Sequence, residues 1–314
     1  VSKISIILPT YNVEKYIARA LESCINQSFK DIEIIIVDDC GSDKSIEIAK
    51  EYASNDKRIS ILHNKENLGL LKARYEGVKV ATSPYIMFLD PDDYLELNAC
   101  EQCATLLNNE LDFIWFNFIY DTCDGIKKDI FLEDNLFSIN NYCKYILNKK
   151  NTCHWNLCSK IIKVDIYKKA FIYTENLNIR LTMAEDALIY FFIILNCKKI
   201  ATSSLHIYHY YQNYESSTNT NDIIKIQKNL DDEKEVINFL SSYLKYNKHI
   251  SKNILIFLKT IIIQLKINRL NRKIKYDRLK YCYVVYKYKK IINKQILQKY
   301  YKFVNFLVLK NIQK

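Results

Sequence analysis

Glycine and proline are scarce in this sequence of 314 residues, at 4 and 3 respectively. So few chain breakers exclude collagen-like and linker-rich compositions, and 49% hydrophobic with 26% charged residues describes a globular chain. No apolar run approaches the ~20 residues of a membrane-spanning helix. The nearest, from Ile254 to Leu265, is broken by Lys259. A glycine-rich phosphate loop is missing after the first apolar run, where Pro9-Thr10-Tyr11-Asn12 stands instead, and this argues against a nucleotidyltransferase. The 10 cysteines lack regular spacing, and no secretory leader precedes the run at Ile4. Free thiols and a reducing, cytosolic compartment are therefore expected. Cys100-x-x-Cys103 and Cys153-x4-Cys158 have the number for a zinc site, but Cys100 and Cys103 fall in a helical pattern as small apolar residues. Acids nearly vanish toward the C-terminus: from Tyr243 to Lys314, 16 Lys and 3 Arg face the single Asp277. The net charge of +11 thus divides into a mildly acidic body and a strongly basic tail.

What is present is alternation. Ile4 to Leu8, Ile32 to Val37, Ile59 to Leu62 and Tyr85 to Leu89 read as buried strands, separated by helical patterns through Ile17–Ile25, Asp43–Tyr52 and Leu70–Val80. Continuous apolar strands alternating with helices predict an α/β fold, a Rossmann-like, mostly parallel sheet covered by helices on both faces. Ligands in such sheets sit beyond the carboxyl ends of the strands. Those ends here are Thr10-Tyr11-Asn12, Asp38-Asp39, His63-Asn64 and Asp90 to Asp93. Further along, Asp112–Tyr120 is expected as a strand, 121–138 as a loop or hairpin, and 140–170 as short helical patterns. Ala184–Leu195 is expected as a helix, Ile200–Tyr211 as an aromatic strand, and everything beyond Asp222 as helix. We expect one domain over 1–221, in two parts, 1–95 and 96–221, followed by a helical basic extension over 222–314.

Asp90-Pro91-Asp92-Asp93 carries the strongest chemical signal. Three carboxylates at the end of a buried strand repel one another, and a hard divalent cation with open positions for substrate phosphates relieves that repulsion. An acidic surface turn is the plain alternative for such a pattern taken alone.

Taken together, Ile6-Ile7-Leu8-Pro9-Thr10-Tyr11-Asn12, Val37-Asp38-Asp39-Cys40-Gly41-Ser42-Asp43, Asn67-Leu68-Gly69-Leu70-Leu71-Lys72-Ala73-Arg74 and Asp90-Pro91-Asp92-Asp93 resemble the family 2 glycosyltransferases of GT-A fold. The resemblance implies inverting transfer of a sugar from a nucleotide diphosphate donor with Mn2+ or Mg2+. It implies donor contacts from Pro9, Thr10, Tyr11 and Asp39, with Tyr11 on the uracil face and Asp39 accepting from its N3–H. It also places Asp90 near the ribose and metal, Asp92 as metal ligand, and Asp93 behind them. Gly41 would let the backbone turn sharply. Asp43 is either a donor-site residue or the cap of the next helix, and Arg74 either reaches the phosphates or is a solvated helix charge. Met183-Ala184-Glu185-Asp186 is similar to the family's acidic pair at a helix start, making Asp186 the base and Glu185 its support. An acidic helix N-terminus favoured by the dipole is the alternative. His154 and Trp155, with Lys160 beyond, resemble the acceptor-side segment, although Trp155 also suits a core. His209 is a candidate metal or phosphate ligand.

The opening hundred residues are further similar to bacterial lipooligosaccharide β-1,3-galactosyltransferases. This implies transfer of galactose from UDP-galactose to an N-acetylgalactosamine of the outer core, with glucose or N-acetylglucosamine as the alternative hexoses. The tail, with segments over Lys252–Leu270 and Lys280–Leu309, mixes aliphatics and aromatics with lysine, a membrane-surface profile. Peripheral attachment to the anionic cytoplasmic face of the inner membrane is expected, with a solvated helical cap as the alternative. A basic nucleic-acid-binding protein is the non-enzyme rival, disfavoured because no nucleic-acid module accompanies the charge.

Overall fold

The computed structural model describes residues 3–107, 110–128, 131–148, 154–177, 179–213, 220–247 and 249–288. Its first part is the expected alternation: β1 (Ile4–Thr10), α1 (Ile17–Ile25), β2 (Ile32–Asp38), α2 (Ser45–Asn55), β3 (Ile59–His63), α3 (Leu70–Val80) and β4 (Tyr85–Phe88). These four strands lie parallel in the order β3-β2-β1-β4. Side chains alternate across the sheet. Ile4, Ile6 and Leu8 of β1, with Ile34 and Ile36 of β2, fill one core, while Ile7, Ile35 and Val37 fill the other. Burial on both faces explains why these strands read as unbroken apolar runs.

The second part comprises β5 (Tyr94–Leu95), α4 (Ala99–Leu106), β6 (Phe113–Thr122), β7 (Gly125–Lys128), β8 (Asn135–Phe137), α5 (Ile139–Asn148), β9 (Lys160–Lys163), α6 (Val164–Ile172), α7 (Glu185–Asn196) and β10 (Ile200–Tyr211). The sheet continues as β4-β9-β6-β10-β5, with β9 antiparallel to both β4 and β6 and β10 parallel to β6. The expected helical pattern over 140–170 is thus interrupted by β9, the strand that joins the two halves. Lys160-Ile161-Ile162-Lys163 is too short to display a period, and both isoleucines are fully buried. The expected hairpin is the β6–β7 pair, turning at Cys123-Asp124 into Gly125, whose φ is 115°.

Two helices complete the described chain, α8 (Ile223–Tyr246) and α9 (Lys252–Tyr288). Val236 and Leu240 of α8 and Phe257, Ile261 and Leu265 of α9 share one core with Phe191 and Phe192 of α7. The apolar run of Ile254–Leu265 therefore packs inward on the sheet-bearing body, as the cap alternative holds for this segment. The two helical segments expected on either side of 270–280 are one continuous helix as far as Tyr288, and residues 289–314 lie outside the described residues. No described helix is long and apolar enough to cross a membrane. Cys24, Cys40, Cys100, Cys103, Cys123, Cys143, Cys158 and Cys197 are free thiols, with Cys100 and Cys103 buried in α4; Cys153 lies outside the described residues.

Candidate active site

The ends of β1 and β2 meet at one edge of the sheet. Asn12 Oδ1 accepts from the Ser42 amide at 2.7 Å, and a Cβ on Gly41 would lie 2.9 Å from the Asn12 nitrogen. Glycine at 41 therefore serves close approach of the two loops. The sharp turn expected of it belongs to Cys40, whose φ is 61°. Tyr11 stands 46% exposed on this edge. Pro9 pairs with Val37 within the sheet, and the buried Thr10 hydroxyl donates to the Leu8 carbonyl. Asp39 is buried and accepts from the Leu68 amide at 2.8 Å, the Gly69 amide at 3.0 Å and Asn64 Nδ2 at 2.9 Å. Three donors occupy most of a carboxylate's acceptor positions, so Asp39 visibly fixes the loop that starts α3. Asp43 accepts from the Ser45 amide and hydroxyl and from the Glu14 amide, the behaviour of a cap and loop tie.

The acidic turn after β4 is held from two directions. Arg74, only 3% exposed, donates from Nη2 to Asp90 Oδ1 at 2.9 Å and from Nη1 to Glu185 Oε1 at 3.3 Å. It is therefore not a solvated helix charge. From the other side, Tyr208 donates to Asp93 Oδ2 at 2.7 Å and accepts from the Asp90 amide at 3.2 Å. The Tyr211 amide donates to Asp93 Oδ1 at 2.8 Å, and Asn213 Nδ2 donates to Asp92 Oδ2 at 2.9 Å. Arg19 donates to the Asp92 carbonyl at 2.7 Å. Burial raises the pKa of Asp92, with Asp90 adding to it; burial raises that of Asp93 further, with Asp92 and Asp90 adding. Tyr208, Asn213 and Arg19 escaped sequence reasoning because their sole signal is long-range contact.

His209 is not brought to these aspartates. It follows Tyr208 by one residue on β10, so its ring lies on the opposite face of the strand. There Nε2 sits 3.2 Å from Glu96 Oε1, and the ring stacks on Tyr94 at 4.1 Å. The expectation of a metal ligand at 209 is corrected accordingly.

Glu185 and Asp186 open α7 behind Ala184, which takes the left-handed conformation at φ 63°. Glu185 is buried against Arg74, and Asp186 Oδ1 accepts from the Ala187 amide at 2.7 Å. Both pKa values are raised, first by burial; Asp186 adds to the rise at Glu185, while Arg74 and Lys160 oppose the rise at Asp186. Below α7 lies Lys160, fully buried, with Nζ donating to Asn156 Oδ1 at 3.2 Å and the Cys158 carbonyl at 3.3 Å. Its ammonium is 4.9 Å from the Trp115 ring and 5.9 Å from that of Tyr190, one turn after Asp186. Burial lowers its pKa to about 8. The loop entering α7 is braced from α8 and α9: the Thr182 amide and hydroxyl each donate to Asp232 Oδ2 at 2.9 Å, and Arg272 reaches Glu233 at 3.1 Å and Met183 Sδ at 3.4 Å.

His154 stacks on Phe131 at 5.0 Å and lies near Trp115. Burial, then Lys160, pulls its pKa down to about 4, so its ring is neutral. Trp155 is partly buried and packs on the core.

Among the described residues no three His, Cys, Asp or Glu side chains form a metal cage. Asp90 and Asp92 nevertheless suit a cation that takes few protein ligands and completes its shell with water and phosphate. Arg74 uses Asp90 Oδ1 and Asn213 uses Asp92 Oδ2, which leaves Asp90 Oδ2 and Asp92 Oδ1 for a hard ion. Their proximity is what such an ion would relieve.

Residues 5–160 match the family model described as Glycosyl transferase family 2. An uncharacterised glycosyltransferase of Haemophilus influenzae is 39% identical over 123 residues, which are 39% of this chain and 49% of that relative. The chain thus matches about half the length of that relative. The structure of S. aureus TarS 1–349 in complex with UDP superposes with a TM-score of 0.56 at 20% identity, covering 90% of this chain and 91% of TarS 1–349. The mannosyltransferase PcManGT from Pyrobaculum calidifontis, in complex with GDP-Man and Mn2+, superposes at 0.57 with 10% identity, covering 97% and 80%. At those identities the likeness is one of fold. Residues 5–160 thus match glycosyl transferase family 2, and the chain has the GT-A fold.

Proposed function

We propose that this chain transfers a hexose from a UDP-sugar to a glycan acceptor with inversion at the anomeric carbon. The observation that carries the reading is the Arg74 bridge, which ties the donor-side Asp90 to Glu185 beside the base Asp186. In this reading Tyr11 stacks on the uracil, with Pro9, Thr10 and Asp39 shaping its slot. Asp90 and Asp92 would hold Mn2+ or Mg2+, which would supply positive charge against the negative diphosphate. Asp186 removes the proton from an acceptor hydroxyl. That oxygen attacks the anomeric carbon, and the bond to the diphosphate breaks with its electron pair leaving on UDP. The raised pKa of Asp186 suits a base, because a carboxylate nearer the working pH is a stronger proton acceptor.

The finer reading is galactose from UDP-galactose, joined β-1,3 to an N-acetylgalactosamine of a lipooligosaccharide outer core. Its support is the similarity of the opening hundred residues. His154 and Trp155 would line the acceptor side. A lipid-linked acceptor and the basic tail together favour peripheral attachment at the cytoplasmic face of the inner membrane, without nucleic acid. The test is UDP release with Mn2+ across UDP-galactose, UDP-glucose and the two UDP-N-acetylhexosamines, with and without an N-acetylgalactosamine-terminated acceptor. Acceptor-dependent turnover of UDP-galactose alone is the expected result. Turnover of another donor would overturn the galactose reading, and no turnover with any would overturn the transfer itself.

A further inference from the structure

Helix α9 has a second apolar side that the body does not cover. While Phe257, Ile261 and Leu265 turn inward, Ile263, Ile267 and Leu270 remain 57%, 53% and 53% exposed, and Ile256 is 38% exposed. Steps of four and three residues align 263, 267 and 270 in one stripe. Beside it, Lys252, Lys259, Lys266, Lys273 and Lys280 recur every seven residues, and all are exposed. A seven-residue repeat drifts by only about 20° per step around a straight helix, so these lysines flank the stripe along its length. Residues 236–276 contain no Asp or Glu, and the first acid beyond them, Asp277, is paired with Lys273 at 2.7 Å.

We propose that this outer face of α9 docks on an anionic lipid bilayer, with Ile263, Ile267 and Leu270 entering the headgroup region and the lysines meeting lipid phosphates. The inference deepens the membrane reading above and rests on it, adding which face attaches. Exposed aliphatics interleaved with lysine match such a surface in both polarity and charge. A second copy of the chain fits worse. In a helix pair the flanking positions carry the charges that select the partner, and this stripe is flanked by lysines with no acid to oppose them. The C-terminal stretch 289–314 fits no better, since it holds 7 lysines and no acid. Attachment here also bears on the reaction centre, because Arg272 of the same helix touches Met183, two residues before Glu185.

The test is co-sedimentation of the full chain with phosphatidylcholine vesicles, alone or with about 30 mol % phosphatidylglycerol. Wild type, Ile263→Glu/Ile267→Glu and Lys259→Glu/Lys266→Glu are compared. We expect the wild type to bind only the anionic vesicles, less at high salt, and each variant to bind at least about tenfold more weakly. Thermal midpoint and UDP release in free solution should not change. Wild type remaining in the supernatant would sink the membrane reading as a whole. Wild type and both variants binding alike would keep attachment and overturn this face. Light scattering that shows a wild-type dimer and an Ile263→Glu/Ile267→Glu monomer would assign the face to a second copy instead.

Discussion

Arg74 and Glu185 face each other at 3.3 Å inside the protein, one on α3 and the other at the first turn of α7. With Asp90 as its second partner, Arg74 joins the acidic turn after β4 to the start of α7. Replacing it with methionine strands the buried Glu185 carboxylate against an apolar group and takes a partner from the part-exposed Asp90. Arg74→Met should cost about 3–5 kcal/mol in urea denaturation, and Arg74→Met/Glu185→Gln clearly less. Equal losses would show that the pair is not coupled.

Asp186→Asn should fold and keep its calorimetric affinity for UDP with Mn2+, while turnover falls by about 10²–10⁴-fold. Near-normal turnover would remove Asp186 from the role of base.

The reaction should be bell-shaped in pH. Asp186 acts only when ionised, so kcat/KM rises as pH passes its pKa, which burial raises. Lys160, lowered to about 8, loses its charge as pH rises further, and with it the support it lends to ionised Asp186. Lys160→Met should therefore shift the acid limb upward and abolish the alkaline one. For stability the sign is opposite. The unfolded lysine binds its proton more tightly than the folded one, so burial of this amine destabilises below pH 8, and stability recovers as pH rises from there toward the ordinary lysine value. Lys160→Met should then raise the melting temperature at pH 7 while lowering activity, and a fall in both would refute this account.

The order of the early elements was legible because strands buried on both faces write themselves as apolar runs. The acidic turn was legible because Asp90, Asp92 and Asp93 are adjacent in sequence. What was not legible depends on which way a side chain points. His209 and Tyr208 are neighbours in the chain, yet the pleat sends only Tyr208 to Asp93. Arg74 looks like any helix arginine until α7 closes over it. Strand β9, at four residues, carries no period, and the burial of Lys160 runs against its residue type.

His209→Phe preserves the stack on Tyr94 and removes the contact with Glu96. It should leave the Mn2+ concentration dependence of turnover within about twofold of wild type, whereas Asp92→Asn should weaken it by tenfold or more. A metal requirement altered equally by both would restore His209 to the site.

Truncation separates the structural and peripheral parts of the C-terminal region. Ending the chain at Asn247 removes α9, takes Phe257 from the Tyr190 ring and cuts Arg272 from Met183, so folding or UDP release should be lost. Ending it at Tyr288 leaves that brace in place, and UDP release in solution should persist.

The contacts that complete the acidic turn are among the most distant in the chain. Tyr208 lies 115 residues from its partner Asp93, and Asn213 lies 121 from Asp92. During synthesis the four motifs all emerge well before β10 exists to hold them. Until then Asp92 and Asp93 remain in water, and burying them unpartnered would be costly. The candidate site is therefore finished late, as a non-local and slow-forming feature. A fragment of residues 1–95, although it contains every donor motif, is not a smaller version of the site but only its unassembled half.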